Sequence, residues 1–327
     1  MGKAGKLGLS EKPRWAWNVG RRPLVSYNCV VLAKQVPDTH RITGQVMNDD
    51  GTVNRAALPA IFNPEDLNAL ELALRIKDRF GGRITVITMG LPVATRILRD
   101  ALYRGADDAV LVTDQRCAAS DTLATSYILS CAVRKLDYDI VLCGRQAIDG
   151  DTAQVGPQLA EKLGITQITY VEAMETLEGD VITARRNIGN GWQRVRAKLP
   201  VLLTVTSDAN QPRVAAARKM MKYKNARTRA EIEQQVKAAN PGASESAIKK
   251  SVQDQAEALE QKGLLIHQWN LDDLKADLTW CGRSGSPTKV HRIQSVVLAA
   301  KESKDIAPTD EGVAGMIHEL IQDKVIS

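Results

Sequence analysis

The stretch best suited to chemistry is a loop rich in glycine, acidic and hydroxyl residues that runs from Gly144 to Pro157 (GRQAIDGDTAQVGP). Gly144 permits close approach to the backbone, and Arg145 offers a fork of donors that suits an anion. Thr152 stands at the expected entrance of a helix over 152–164, where free N–H groups and the positive dipole end attract phosphate. The loop therefore indicates an anion site, although residue chemistry alone also allows a strand-to-helix connection whose Asp and Thr residues only cap the helix.

Two carboxylates in this loop, Asp149 and Asp151, are unfavourable neighbours for a phosphate. Paired carboxylates can hold Mg²⁺. We favour helix capping or contact with a ribose hydroxyl and predict no metal site here.

The cysteines and histidines also lack the spacing of a metal centre. The five cysteines are an odd number without a C-x-x-C motif, and the four histidines are isolated from one another. The cysteine pattern favours a reducing cytoplasm or organelle matrix over a disulfide framework.

The familiar phosphate-binding motifs are missing. The chain contains neither G-x-G-x-x-G after its first strand nor G-x-x-x-x-G-K-[ST] at any position. These absences argue against a dehydrogenase of the standard dinucleotide fold and against a P-loop ATPase.

Composition excludes further classes of protein. The 327 residues are 44% hydrophobic and 25% charged, which is an ordinary globular balance. The net charge is +6, but residues 1–28 carry +5 of it, and aromatic residues make up only 4%. We therefore expect no nucleic-acid partner. Because no apolar run reaches the roughly 18 residues that a membrane-spanning helix needs, we expect no membrane insertion either.

Apolar strands alternate with amphipathic helices from Asn28 to about Ser207, which predicts an α/β domain with a doubly wound, mostly parallel sheet. Strands are expected at 29–32, 83–89, 108–113 and 140–143. The helices between them are a helix that Asn63 caps and Pro64 begins, a helix over 92–105 and a helix over 121–135. In such a sheet, ligands bind beyond the carboxyl ends of the strands, where the strand order reverses. If the reversal lies between the first and fourth strands, Leu32, Ala33 and Lys34 adjoin the loop that begins at Gly144 and form a nucleotide pocket with it.

The remaining chain is expected to add peripheral elements. Antiparallel hairpins are predicted over 168–199, followed by a buried strand at 201–206. Thr228 and Glu231 form a capping box at the start of an inserted helical hairpin over 225–263. Five apolar residues repeat at helical spacing in a C-terminal helix that begins near Thr309: Val313, Met316, Ile317, Leu320 and Ile321.

Several motifs together resemble the beta subunit of electron-transfer flavoproteins. They are LAKQVPDT from Leu32, NPEDLNALE from Asn63, Gly105-Ala106-Asp107 and the whole loop from Gly144 to Pro157. Downstream, NQPR at 210–213 with Met221-Lys222 is similar to a loop that contacts partner dehydrogenases, and GSPTKV at 285–290 is similar to a C-terminal motif. The resemblance covers roughly 29–224 and 264–300.

This resemblance implies a Rossmann-like fold of the adenine nucleotide alpha hydrolase type, with antiparallel hairpin additions and a C-terminal arm. It also implies a heterodimer with an alpha subunit that holds an electron-carrying FAD. The redox chemistry would then belong to the flavin, so the resemblance implies no catalytic residue in this chain. Carried over by position, it places the cofactor against these residues: Leu32, Ala33, Asn63, Pro64, Glu65, Asp66, Met89, Gly144, Arg145, Gln146, Asp149, Gly150, Asp151, Thr152, Ala153, Gln154 and Val155.

The cofactor of the beta subunit depends on the branch of the family. The motifs KQVPDT and DGDTAQVGP resemble the electron-bifurcating branch, in which this subunit binds a second FAD. The alternatives are a conventional electron carrier with a structural AMP and a universal-stress-type nucleotide sensor. The expected electron partners are NADH and an acyl-CoA-type or other flavin dehydrogenase. The expected location is the cytoplasm, or the mitochondrial matrix if the source is eukaryotic.

The predicted organisation has five parts: a basic extension over 1–27, the α/β domain over 28–207, a partner-recognition loop over 208–224, the inserted hairpin over 225–263 and an arm over 264–327. The extension is expected to be disordered, with an organellar presequence as the alternative. The arm is expected to bury its apolar face mainly on the alpha subunit. The hairpin is expected to influence docking of an electron partner, or else to be a neutral insertion.

The chain departs from the family pattern in three places. Three alanines at 215–217 stand where a larger apolar residue usually anchors the partner dehydrogenase. The hairpin interrupts the join between the recognition loop and the arm, and the N-terminal extension has no counterpart. None of these departures affects the nucleotide loop.

Overall fold

The computed structural model describes residues 26–38, 59–288 and 305–322. It divides the chain into two compact units, one formed by 1–41 and 58–290 and the other by 42–57 and 291–327. The described strands and the described helices between Pro64 and Gln261 belong to the first unit. The second unit contributes one described helix.

A nine-stranded sheet forms the centre of the first unit, with the strands in the order β11-β5-β4-β1-β6-β10-β7-β8-β9. All neighbouring strands are parallel except the pairs β7/β8 and β8/β9. The strands are β1 Cys29–Leu32, β4 Ile84–Met89, β5 Asp108–Val112, β6 Ile140–Gly144, β7 Thr166–Glu178, β8 Val181–Asn187, β9 Trp192–Lys198, β10 Val201–Val205 and β11 His267–Trp269. The doubly wound α/β class predicted from the sequence is confirmed.

Helices cover both faces of the sheet because each strand of the parallel half presents alternate apolar residues to opposite sides. On one face the core lies beneath α1 (Pro64–Phe80) and α2 (Thr95–Arg104). On the other it lies beneath α3 (Thr122–Val133) and α4 (Val155–Leu163). Both faces are closed, so ligand access is left to the strand ends.

Four of the described strands and α-helices were not predicted from the sequence. Two of them, β2 (Gln35–Pro37) and β3 (Ala60–Phe62), pair in a small antiparallel sheet. A short helix α5 (Ala217–Tyr223) lies inside the segment expected to be an irregular recognition loop. The last is β11, which is only three residues long. Short elements give too few residues for a periodicity, so pattern reasoning does not detect them.

The inserted hairpin has the predicted form. It consists of α6 (Arg229–Ala239) and α7 (Glu245–Gln261), and the capping box between Thr228 and Glu231 is present. A small apolar cluster of Ile232, Val236 and Ala256 holds the two helices together.

The expectation for the C-terminal arm is wrong over its first part. Ile266, Trp269 and Leu271 are at most 7% exposed and pack within the α/β unit, and β11 extends its sheet beside β5. The helix predicted near Thr309 is present as α8 (Asp310–Gln322), and none of its residues is buried.

The predicted extension is described only at its end. Residues 1–25 lie outside the described residues. Tyr27 is buried and stacks edge-on against Phe80, so the domain begins slightly before the predicted boundary.

Candidate functional site

The ends of β1 and β6 meet at the point where the strand order reverses. β1 pairs with β4 on one side and with β6 on the other, so successive strands are added outward in both directions from this junction. The predicted reversal between the first and fourth strands of the α/β series is confirmed. Leu32 and Gly144 end the two strands, and such a junction is the usual position of a ligand cleft in an open α/β sheet.

A buried carboxylate joins the two strand ends. Asp66, in the first turn of α1, accepts one hydrogen bond from the backbone N–H of Lys34 and one from that of Gly144, each at 2.8 Å. Burial raises the pKa of Asp66 to about 7, even though both hydrogen bonds favour the charged form. Asp66 therefore joins the ends of β1 and β6 through their backbone N–H groups.

Glu65 holds the beginning of the nucleotide loop. It forms an ion pair with Arg145 at 2.9 Å and accepts a hydrogen bond from the backbone N–H of Gln146 at 2.9 Å. The guanidinium of Arg145 also lies 5.6 Å from the ring centroid of Tyr170. Nε and Nη2 of Arg145 both face Glu65, whereas the sequence led us to expect a guanidinium fork free to bind an anion.

Asn63 is completely buried and bonds the same loop. Its amide donates to the carbonyl of Gln146 at 2.9 Å and accepts from the N–H of Ile148 at 3.2 Å. It occupies the position before Pro64 at the start of α1 but makes no side-chain cap to the helix. The expectation that Asn63 caps α1 is wrong, because the loop takes both hydrogen-bonding groups of its side chain.

Gly144 is required by protein packing as well as by any ligand. A Cβ atom at Gly144 would lie 2.6 Å from Asp66 Oδ1 and 2.8 Å from the backbone nitrogen of Asp66. The first turn of α1 thus approaches the end of β6 closely enough to exclude any side chain at Gly144.

Lys34 and Asp149 close the loop on its exposed side. Lys34 Nζ lies 2.7 Å from Asp149 Oδ1, and half of the lysine side chain is exposed. From the sequence we placed Lys34 in the nucleotide pocket but did not include it among the residues that contact the cofactor. Its position immediately after β1 could have indicated such a role.

The loop ends in a backbone arrangement that suits phosphate. Asp151 and Ala153 have positive φ angles of 48° and 52°, and the next residue, Gln154, is right-handed helical. Alternation of this kind turns successive N–H groups toward one concavity. Helix α4 begins at Val155 with no side-chain cap. The predicted helix start at Thr152 is wrong by three residues, since the positive φ angles delay helix formation.

An apolar wall lies beside these backbone donors. Leu32 at the end of β1, Met89 at the end of β4 and Val155 at the start of α4 belong to one cluster on the α3/α4 face of the sheet. Ala33 follows Leu32 and is buried. We call the apolar wall, the loop 144–154 and the first turn of α4 the cradle.

The cradle fits an adenine nucleotide in its chemistry. The apolar wall suits a base, the exposed loop residues suit a ribose, and the uncapped N-terminus of α4 suits phosphate. The structure brings the predicted residues to one edge of the sheet but divides their roles. Asn63, Glu65 and Asp66 support the loop, with Pro64 beginning the helix that carries two of them. The part of the loop that a ligand can reach from solvent is its second half, from Asp149 to Gln154.

Within the described ranges, no group of His, Cys, Asp and Glu side chains has an arrangement that could hold a metal ion. None of the helices in those ranges combines the length and hydropathy that a bilayer span requires.

The known proteins that are similar to this chain indicate a single family. The electron transfer flavoprotein domain matches residues 50–240. The electron transfer flavoprotein subunit beta of Clostridium acetobutylicum is 38% identical over 299 residues, which cover 91% of this chain and 100% of that protein. Protein FixA of Bradyrhizobium diazoefficiens is 36% identical over 296 residues, 88% of this chain and 89% of that protein. The acryloyl-CoA reductase electron transfer subunit gamma of Anaerotignum propionicum is 47% identical over 188 residues, 56% of this chain and 69% of that protein.

Proposed function

The chain belongs to the electron transfer flavoprotein family, and on that premise we propose that it is the beta subunit of a heterodimer and binds FAD in the cradle. The observation that carries the proposal is the joining of the β1 and β6 ends to an uncapped helix N-terminus at the point of strand reversal. The family match removes the reason for considering a universal-stress-type sensor.

The residues of the cradle would bind and orient the nucleotide. The N–H groups at the start of α4 would hold phosphate, Asp149 would contact the ribose, and Leu32 with Met89 would pack against the adenine. Electron transfer chemistry belongs to the bound flavin, while the protein sets its position and electrostatic surroundings. The chain itself would need no general base and no nucleophile.

We favour the electron-bifurcating type with a second FAD over a conventional carrier with AMP. The support is the resemblance of KQVPDT at 34–39 and DGDTAQVGP at 149–157 to the two-flavin branch. Electrons would then pass between NADH or an acyl-CoA-type dehydrogenase and the flavin of the alpha subunit. AMP remains the second candidate because the cradle contacts described above involve only adenine, ribose and phosphate, which AMP shares with FAD.

Identification of the bound nucleotide tests this proposal. The chain is coexpressed with its alpha partner, the heterodimer is precipitated with acid, and the released nucleotides are separated and weighed by mass spectrometry. Two FAD per heterodimer would support bifurcation, and one FAD with one AMP would support the conventional carrier. Absence of any nucleotide beyond the FAD of the alpha subunit would contradict both.

A pair of glycine variants assigns the nucleotide to the cradle. Gly144→Ala should lose one nucleotide per heterodimer because its Cβ would collide with the first turn of α1. Gly315→Ala, where a Cβ meets nothing within 4 Å, is the matched control and should retain both. Full nucleotide content in the folded Gly144→Ala heterodimer would remove the cradle from consideration.

A further inference from the structure

An ion pair, a hydrogen bond and a close backbone contact hold the segment 264–288 on the loop that joins β5 to α3. Arg116 in this loop forms an ion pair with Asp272 at 2.8 Å, and the N–H of Leu271 donates to Asp114 at 3.2 Å. Gly282 has a φ angle of 59°, and a Cβ there would lie 2.1 Å from the carbonyl oxygen of Arg116. The segment therefore packs tightly on one connection at the carboxyl edge of the sheet.

Asp121 connects the end of this segment to helix α3. One carboxylate oxygen of Asp121 caps the helix by accepting from the N–H of Ala124 at 2.9 Å. The other oxygen accepts from both the N–H and the hydroxyl of Thr288, at 3.0 and 2.7 Å. The N–H of Asp121 donates to the hydroxyl of Ser286 at 2.9 Å, and Ser286 is only 5% exposed. A single residue thus starts α3 and holds the end of the segment.

The next residue in the chain bonds to the cradle. The hydroxyl of Thr122 donates to the side-chain oxygen of Gln154 at 2.9 Å. Gln154 is the residue immediately before α4 and belongs to the backbone arrangement that suits phosphate. Helices α3 and α4 also share the apolar cluster on their face of the sheet. Residues 121 and 122 consequently join the C-terminal segment to the phosphate end of the cradle.

We propose that Asp121 is a positioning residue for nucleotide binding, coupling the segment that ends at Thr288 to the start of α4 through Thr122 and Gln154. This inference rests on the proposed function, since it concerns the affinity of the same cradle. While Asp121 holds Thr288, the N-termini of α3 and α4 are fixed. When Thr288 is released, the loop before α4 becomes more mobile, and nucleotide binding must then remove this mobility at a cost in affinity. Whatever holds the chain beyond Thr288 would therefore tighten nucleotide binding, and the nucleotide would tighten that contact to the same extent.

Asp121→Asn separates the coupling from the helix cap. Asparagine is as good an N-cap as aspartate, so α3 should still begin at the same residue. While its oxygen caps the helix, its NH2 group faces Thr288 and cannot accept from the Thr288 N–H, so the end of the segment should be held less firmly. Asp277→Asn is the matched control, because Asp277 makes the same kind of cap to Thr279 in the same segment without contact to Asp121.

Nucleotide affinity and amide exchange provide the readouts. Heterodimers stripped of nucleotide are titrated with AMP and with FAD by calorimetry, and hydrogen exchange is followed over 144–156. We expect Asp121→Asn to weaken binding of the accepted nucleotide by about fivefold or more and to speed exchange in that loop. Thr122→Val should have the same effect, and the double variant should be no weaker than the single ones because both act on one path.

The outcomes separate this inference from the proposed function. If the wild-type heterodimer binds neither AMP nor FAD at the cradle, the proposed function fails. If it binds, and Asp121→Asn speeds exchange only over 281–288 while affinity and the 144–156 amides stay as in Asp277→Asn, Asp121 has a purely structural role and the coupling is wrong.

Discussion

The carboxylate of Asp66 accepts hydrogen bonds from the ends of two different strands while it is almost completely removed from solvent. Its pKa of about 7 means that the folded protein keeps the proton to a higher pH than the unfolded chain does. The contribution of this group to the free energy of unfolding is therefore full below about pH 4 and is lost as the pH rises through about 7.

Asp66→Asn should remove this pH dependence. The variant is neutral at all pH values, so the difference in free energy of unfolding between wild type and variant should fall by up to about 1.4 kcal/mol per pH unit between pH 4 and 7. Denaturant titrations at a series of pH values measure this difference. Asp254→Asn, on an exposed part of α7, is the control because it removes the same charge without a buried hydrogen bond. A constant difference across the range would show that Asp66 does not titrate there.

Among the elements, the inserted hairpin is the addition with the least connection to the cradle. Its own core consists of three small or branched residues, and a partly buried ion pair between Arg99 and Glu231 connects it to α2. It follows directly on α5, where Met221 is 65% exposed and basic residues are frequent. We propose that the hairpin influences docking of an external electron partner and leaves nucleotide binding unchanged.

Replacing 226–262 by a short Gly/Ser linker tests this role. We expect unchanged nucleotide stoichiometry and a changed rate of electron transfer to the physiological dehydrogenase, measured by stopped-flow absorbance. Glu231→Gln, which removes the negative charge opposite Arg99 but keeps the hairpin, is the control for the uncompensated charge of Arg99. Loss of nucleotide would place the hairpin in the cofactor site, and an unchanged rate would leave it a neutral insertion.

For the molecule as a whole, α8 is the strongest indication of a protein partner. Val313, Ile317 and Ile321 are 44%, 43% and 51% exposed although they share one helical face. Each such side chain is worth about 1.5–3 kcal/mol when fully buried, which favours a covering surface. We propose that the alpha subunit covers this face.

Deletion of 308–327 should therefore weaken the heterodimer. Even partial burial of the apolar face of α8 on the alpha subunit should contribute at least about 1.4 kcal/mol to binding. Because this free energy corresponds to a factor of ten in the dissociation constant, the deletion should lower the affinity between the subunits at least tenfold. Sedimentation or mass photometry at a series of concentrations measures the dissociation constant. The control is a full-length chain in which Ala314, an exposed residue of the same helix, is changed to Gln without a change in charge. Unchanged affinity of the truncated chain would show that α8 does not contact the alpha subunit.

The sequence by itself determined the order of the main strands and helices, because the spacing of apolar residues in a long segment shows which of its faces is buried. It also located the cradle: Leu32 to Lys34 and the loop after Gly144 were placed together by the rule that ligands bind where strand order reverses. The hairpin helices and α8 were predictable for the same reason, since their apolar stripes repeat at helical spacing.

Only the tertiary structure decided how the work is divided within the cradle. Asn63, Glu65 and Asp66 are polar residues at a helix start, which sequence reasoning treats as caps or ligands, yet their side chains are used by a loop some eighty residues away. The positive φ angles that delay α4, and the fastening of Thr288 to Asp121, likewise depend on contacts between segments distant in the chain. Side-chain type and local spacing fix which groups can form hydrogen bonds, whereas packing fixes which partners they meet.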